Sequence, residues 1–299
     1  MDDDHPLMYS TRSQCTIAGP ATVAGFGYWS GRDVRVEFRP APVDSGIRFV
    51  RRDLEGCPSI AARVCHRVET PRRSSLQAGS VRVDMVEHIM AALGGLEIDN
   101  CEVWVDEAEM PGCDGSSQPF VEALDSVGTV VQDAPRAQIV VGEVIRLGDS
   151  KSWIEARPSA SGQTVLECRL DYGQDNPIGC QTYRMVLTPE EFRRRLATCR
   201  TFVLKAEADW LLAQGLGQRV TAQDLLVFDD RGPIDNPLRF PDECVRHKMM
   251  DMVGDLALSG CTLVGEFIAY RSGHRLNAEL VRSILSRVGE AQPPRRRCA

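Results

Sequence analysis

Strand-like and helical segments alternate along this chain in two successive series, and that alternation constrains the fold more than any single motif. In the first series, Asp33 to Phe38 (DVRVEF) and Cys101 to Val105 (CEVWV) carry apolar and polar residues in turn, the period of half-buried strands. Between them Asp84 to Leu93 (DMVEHIMAAL) has helical spacing, with Asp84 placed to cap it, Glu87 at its third position and Gly94-Gly95 to end it. Pro119 to Leu124 opens another helix after the turn Asp114-Gly115-Ser116. The pattern breaks at Asp133-Ala134-Pro135-Arg136, and a second strand series opens with Ala137 to Ile145. Thr188-Pro189-Glu190-Glu191 then starts a helix, with cap, proline and acid each in the preferred place. Further helices are expected over Lys205 to Gln214, Pro241 to Leu258 and Asn277 to Val288, with a strand from Thr262 to Tyr270 before the last.

Both halves thus read as mixed strand and helix. The expected division is 1–134 and 135–289, with a frayed, disordered tail over 290–299 (EAQPPRRRCA). A length of 299 residues agrees with two units at about 150 each. No direct sequence repeat relates them.

Charge and cysteine usage narrow the function classes. Thirty-five Lys and Arg against 42 Asp and Glu give a net charge of -7, which argues against a nucleic-acid partner but leaves room for a local basic pocket. The start, MDDDHPLMYS, is acidic where a secretory signal would be basic. No run reaches the ~18 uncharged apolar residues of a transmembrane span; the most apolar stretch, Met249 to Tyr270, is broken by Asp251, Asp255 and Glu266. Eleven scattered cysteines form no CxxC pair and read as reduced thiols, so a cytoplasmic protein is expected.

Histidine is scarce, which makes its context readable: His5, His66, His88, His247 and His274. His5 and His66, in an acidic and an Arg-rich stretch, read as solvated. On a wheel of ~100° per residue, the helix Pro241 to Leu258 puts Val245, Met249, Met252, Val253 and Leu256 on one side and His247, Asp251 and Asp255 on the other. His247 and Asp251, one turn apart, can share a metal ion, whereas Asp255 lies about 12 Å of rise from His247 and suits orienting another group. The same pattern also fits a solvated face. Glu87-His88 pairs an imidazole ligand with a carboxylate base, or is a capping-box acid beside a packed histidine. His274 sits in a strand-to-helix loop (YRSGH), as an acid for a leaving amine or as an ordinary loop residue. Two imidazoles and one carboxylate would leave a zinc position open for water, as in catalytic sites. These residues on their own point to a metal-assisted hydrolase, provided that positions 88 and 247 meet.

Longer motifs carry a family resemblance. RFPDECVRHKMMDMVGDLALSG (Arg239 to Gly260), AYRSGHRLNAELVRSIL (Ala269 to Leu285), VEHIMAALGGLEIDN (Val86 to Asn100), DGSSQPFVEAL (Asp114 to Leu124) and Arg200-Thr201-Phe202 closely resemble the UDP-3-O-(3-hydroxyacyl)-N-acetylglucosamine deacetylases of lipid A biosynthesis, from about Thr11 to Leu285. The resemblance implies two α+β domains of similar size, each a sheet layered with helices, with the active site at their interface. It implies one zinc ion per chain on His88, His247 and Asp251, in a zinc amidohydrolase; a monomer is expected. That enzyme releases acetate from an acylated UDP-amino sugar, the committed step of lipid A biosynthesis. Glu87 is then the general base and His274 the acid at the leaving amine, with Asp255 orienting it. Thr201 stabilises the oxyanion. Lys248 lies beside the reacting centre and the diphosphate, Arg271 also binds substrate, and Phe202 lies near the acyl passage.

The chain departs from the family pattern at Tyr28-Trp29, where Leu-His is usual, at Arg271 in place of a lysine, at Met85, and at Gly112-Cys113. Asp171 to Ile178 falls where the family carries its second-domain insert. Two other readings compete: a non-catalytic relative that binds a nucleotide sugar or acylated sugar, using the Tyr28-Trp29 rings, and an iron oxygenase with a facial triad.

Overall fold

The structure, a computed structural model, describes residues 8–290. In chain order its strands and helices are β1 (Met8–Ile17), β2 (Ala21–Phe26), β3 (Asp33–Pro40), β4 (Ile47–Arg51), β5 (Ser59–Ala61), β6 (Arg67–Val68), β7 (Ser75–Ala78), β8 (Val81–Asp84), α1 (Glu87–Gly95), β9 (Cys101–Val105), α2 (Gln118–Val127) and β10 (Thr129–Val140). There follow β11 (Ile145–Gly148), β12 (Trp153–Arg157), β13 (Val165–Asp171), β14 (Cys180–Val186), α3 (Pro189–Arg195), β15 (Phe202–Leu204), α4 (Lys205–Ala213), β16 (Leu226–Asp229), β17 (Gly232–Pro233), α5 (Glu243–Ala257), β18 (Thr262–Val264), β19 (Glu266–Tyr270) and α6 (His274–Glu290). The fold is α+β.

The alternation in the sequence resolves into the same topology built twice. One five-stranded sheet has the order β2-β3-β9-β4-β5 and the other β11-β12-β19-β13-β14. In both, the central strand runs antiparallel to one neighbour and parallel to the other: β9 to β3 and β4, β19 to β12 and β13. Each unit inserts a three-stranded sheet after its fourth strand, β6-β7-β8 in the first and β15-β16-β17 in the second. A helix then leads towards the central strand, and another follows it. The antiparallel pair β1–β10 joins the units, and the parallel pair β10–β18 has its counterpart in the bridge between Thr16 and Asn100.

Apolar faces set the layers. Val34, Val36 and Phe38 of β3 are buried while Asp33 and Arg35 face water. Helices α5 and α6 cover the second sheet, α2 packs on β2, and α1 lies against α2 and α5, so the helical layers of the two units meet. At that junction a Cβ on Gly254 would lie 2.1 Å from the carbonyl oxygen of Glu87, so only glycine lets α5 come this close to α1.

Several local expectations change. Asp84 ends β8 and pairs with Arg82 instead of capping α1; the residue before the helix is Val86, and Met85 turns the chain at a φ of 59°. The Asp133–Arg136 break lies inside one strand, β10, where its pairing with β1 shifts register around Pro135 before β18 joins at Gln138. The single strand expected over Thr262–Tyr270 is two strands in different sheets, divided at Gly265. Asp171–Ile178 belongs to the β13–β14 hairpin, and the inserted sheet lies at 202–233. Helix α3 matches its signature, with Thr188 Oγ1 accepting from Glu191 N at 3.2 Å. The expected tail begins at Glu290, the last residue of α6; 291–299, like His5, lie outside the described residues.

Candidate active site

Helix α5 has no solvated face. His247, Asp251 and Asp255 are 2%, 4% and 0% exposed, as deeply buried as Met249 or Val253 on the opposite side. Helix α1 supplies Glu87 and His88 from its first turn, each 5% exposed. The close approach at Gly254 sets these two helices side by side, so positions 88 and 247 do meet.

His88, His247 and Asp251 form the one group of three ligand-type side chains, among the described residues, whose donor atoms all lie within 4.8 Å of one another. His88 Nε2 and His247 Nε2 stand 3.6 and 3.5 Å from the same oxygen, Asp251 Oδ1. The two rings are nearly perpendicular, at 89°. Asp251 Oδ1 is buried with no hydrogen-bond partner, while Oδ2 accepts from Lys248 Nζ at 2.8 Å. A buried, unpartnered carboxylate oxygen facing two imidazole nitrogens fits a divalent cation of the zinc type. His247 Nδ1 donates to the Cys199 carbonyl at 3.1 Å, which leaves Nε2 as the free lone pair. Burial pushes the His247 imidazole down to about 3, so it is neutral, the form that ligates. Burial works against an ionised Asp251, but the positive charges of Lys248 and His274 counter it, and its carboxyl is held well below the usual range.

Beside this cluster lies a second one. His274 is not in a loop: it opens α6, and its Nδ1 donates to Asp255 Oδ2 at 2.8 Å, with Nε2 3.9 Å from Glu87 Oε1. Burial disfavours the imidazolium, yet Asp255 more than compensates and raises His274 to about 9. Glu87 is not a capping-box acid; its Oε2 accepts the backbone N–H of Ser74 at 2.9 Å. Burial raises its carboxyl above the ordinary value. Three residues that the sequence reading did not single out complete this region. Ser74 Oγ donates to Asp255 Oδ1 at 2.6 Å, Asn277 Nδ2 donates to Asp255 Oδ2 at 2.9 Å, and Ser272 Oγ donates to Asn277 at 2.9 Å. Ser74 lies outside the motifs that carry the resemblance, and Asn277 lies inside Ala269 to Leu285 with no role assigned there, so the fold reveals what each contacts.

Both clusters open into a cavity of about 690 Å³ between the two units. Thr201 reaches it with Oγ1 3.1 Å from the Gly115 carbonyl and 3.3 Å from His247 Nε2. It is anchored by the buried Arg200, whose Nε and Nη2 contact Glu243 at the start of α5. Phe202, 6.1 Å from the His247 ring, begins an apolar wall continued by Leu211, Leu216, Leu225 and Ile234, while Lys205 and Arg275 at its rim are paired with Asp209 and Glu279. Arg271 is exposed, at a φ of 49°, and does not line this cavity. Tyr28 is 7% exposed, its hydroxyl donating to the Asp224 carbonyl and lying 3.1 Å from that of Cys113. A Cβ on Gly112 would fall inside its ring, so the unusual residues at 28 and 112 accommodate each other. Trp29 carries the Arg73 guanidinium over its ring at 4.7 Å. Both rings border the cavity, Tyr28 packed over Gly112 and Trp29 against Arg73.

Comparison with known proteins adds to this geometry. Residues 14–286 match the family model for UDP-3-O-acyl N-acetylglycosamine deacetylase. The chain belongs to that family. It is 40% identical over 275 residues to the UDP-3-O-acyl-N-acetylglucosamine deacetylases of Brucella ovis, Brucella canis and Brucella melitensis biotype 2, covering 91% of this chain and 95% of each of theirs. The family match spans both units and every candidate site residue from Tyr28 to Asn277.

Proposed function

We propose that this protein hydrolyses the acetamide of a UDP-3-O-acyl-N-acetylglucosamine, releasing acetate and a free amine, as a zinc-dependent amidohydrolase of lipid A biosynthesis. The observation that carries the reading is the pairing of Glu87 and His274, one from each unit, beside three metal-ligand side chains in an apolar-walled cavity. His88, His247 and Asp251 would hold one zinc ion, whose Lewis acidity activates water and polarises the amide carbonyl. Glu87 Oε1 takes a proton from the attacking water; its raised pKa makes it a better base than an exposed carboxylate. As the C–N bond breaks, His274 Nε2 delivers a proton to the leaving nitrogen, its charge sustained by Asp255. Thr201 Oγ1 supplies a hydrogen bond for the carbonyl oxygen as it gains charge. Lys248 holds Asp251 in place and adds positive charge, and Phe202 with the apolar wall takes the acyl chain.

The division near residue 135, within β10, fits two units of equal topology. All the residues invoked come from one chain, so the site is complete without a second copy. No helix among the described residues is long and apolar enough to cross a membrane. Ten described cysteines are free thiols, which favours the cytoplasm.

Acetate release from UDP-3-O-acyl-N-acetylglucosamine, with and without a chelator, tests the proposal. Glu87→Gln and His274→Ala should keep zinc and lose turnover by about a hundredfold or more. Unchanged turnover in both variants, or oxygen consumption in place of acetate release, would contradict it.

A further inference from the structure

The site holds a side chain that no step of the chemistry uses and that touches both halves of it. Ser74 is fully buried, so it cannot reach a substrate in the cavity. Its backbone N–H is 2.9 Å from Glu87 Oε2 and its hydroxyl is 2.6 Å from Asp255 Oδ1. Glu87 belongs to the first unit and Asp255 to the second, so one residue just before β7 ties the base of one to the carboxylate that orients the acid of the other. Its carbonyl also accepts from Val86 N at 3.2 Å, bracing the turn at Met85 from which α1 starts.

The directions of these bonds matter. With Oε2 held by Ser74, the remaining oxygen of Glu87, Oε1, is the one turned towards His274 Nε2. With Oδ1 held by Ser74, Asp255 is left with Oδ2 for His274 Nδ1 and for Asn277. Each carboxylate is thereby fixed in rotation, and the working edges of base and acid are set against each other. Both donors belong to one residue of the chain, so the two oxygens are linked through its backbone.

We infer that Ser74 is a positioning residue for the hydrolysis, setting the register between Glu87 and the Asp255–His274 pair across the interface of the two units. This rests on the proposed function of the site. Substituting Ser74 by Ala deletes the hydroxyl and leaves the backbone N–H to Glu87, so it isolates the Asp255 arm.

The test measures acetate release from the acylated UDP-N-acetylglucosamine by Ser74→Ala, Ser74→Thr, His274→Ala and the Ser74→Ala/His274→Ala double variant, with Tm and zinc content recorded for each. Losing one hydrogen bond to a buried charge is expected to lower kcat by about tenfold to a hundredfold while KM stays within about twofold. Ser74→Thr, which restores the hydroxyl, should recover most of it. In the His274→Ala background Ser74→Ala should cost little more, because the group it acts through is gone. Wild-type kcat in Ser74→Ala, or an equal further loss in the His274→Ala background, would overturn the inference while leaving the site assignment standing. If Ser74→Ala does not fold, a Ser74→Thr variant that is folded and zinc-loaded yet loses kcat as His274→Ala does would overturn it equally. Wild-type protein that releases no acetate would instead overturn the reading of the site, and this inference with it.

Discussion

Helices α1 and α5 hold equivalent places in two copies of one topology, each leading towards the central strand of its sheet, yet they arm the site in different ways. Helix α1 contributes two adjacent residues, Glu87 and His88, at its very start, where the backbone is bent at Met85. Helix α5 contributes His247, Asp251 and Asp255 along three successive turns of one face. A duplicated scaffold therefore supplies position, and the difference in how each copy is decorated supplies chemistry: one imidazole and a base from the first, an imidazole, a ligand carboxylate and an orienting carboxylate from the second. Neither helix alone carries three ligands. The site exists only because the two helices touch.

That contact is where the comparison is most easily broken. Gly254→Ala would drive a methyl group into the Glu87 carbonyl, and a backbone cannot yield as a flexible side chain does. The helices must separate, which should destabilise the protein by about 1–3 kcal/mol. A displacement of about 1 Å at a reacting centre should lower kcat by about a hundredfold. Thermal unfolding and steady-state kinetics on Gly254→Ala check both, and wild-type kcat would mean that this approach does not set the site.

A milder change sharpens the division of labour on α5. His274 stays protonated up to about 9 because Asp255 faces it, so turnover should have its basic limb near that value. Glu87, raised by burial, should put the acidic limb above the ordinary carboxylate range. Asp255→Asn removes the main interaction sustaining the charge, and the basic limb should fall towards the ordinary histidine value of about 6.5, with about tenfold or more lost at pH 8. The folded pKa of His274 lies above the unfolded one. Its contribution to stability is therefore complete below about 6.5 and disappears as pH rises through about 9. A pH–rate profile of Asp255→Asn with an unmoved basic limb would assign Asp255 no orienting role.

How much of this was legible in the sequence follows the range of each interaction. Features fixed within a turn or two of chain were readable: the Thr188 cap of α3, the four-residue spacing on α5, the alternation in β3 and β9. The polar stripe of α5 was readable as a pattern but not as a burial state, since a solvated face and a buried site share one periodicity. Asp84 as a cap failed because it ends β8, its carboxylate taken by Arg82 two residues back and its backbone paired with Ala108 and Met110, more than twenty positions on. The strand over 262–270 was split at Gly265, where a Cβ would meet Val141 and the Arg157 carbonyl. The roles of Ser74 and Asn277 were unreadable because both act through Asp255, 181 and 22 positions away. The pairing of Tyr28 with Gly112 shows the same limit: each looks like an isolated departure until the ring is seen lying over the glycine.

The most direct test of the central claim, that one cation is gripped jointly by α1 and α5, is the metal content of purified protein measured for wild type, His88→Ala and His247→Ala. The account predicts about one zinc per chain in the wild type and its loss in both variants, although the two residues lie on different helices of different units. Full zinc retention in folded His88→Ala, with loss confined to His247→Ala, would show that α5 binds the ion alone and would contradict the shared site.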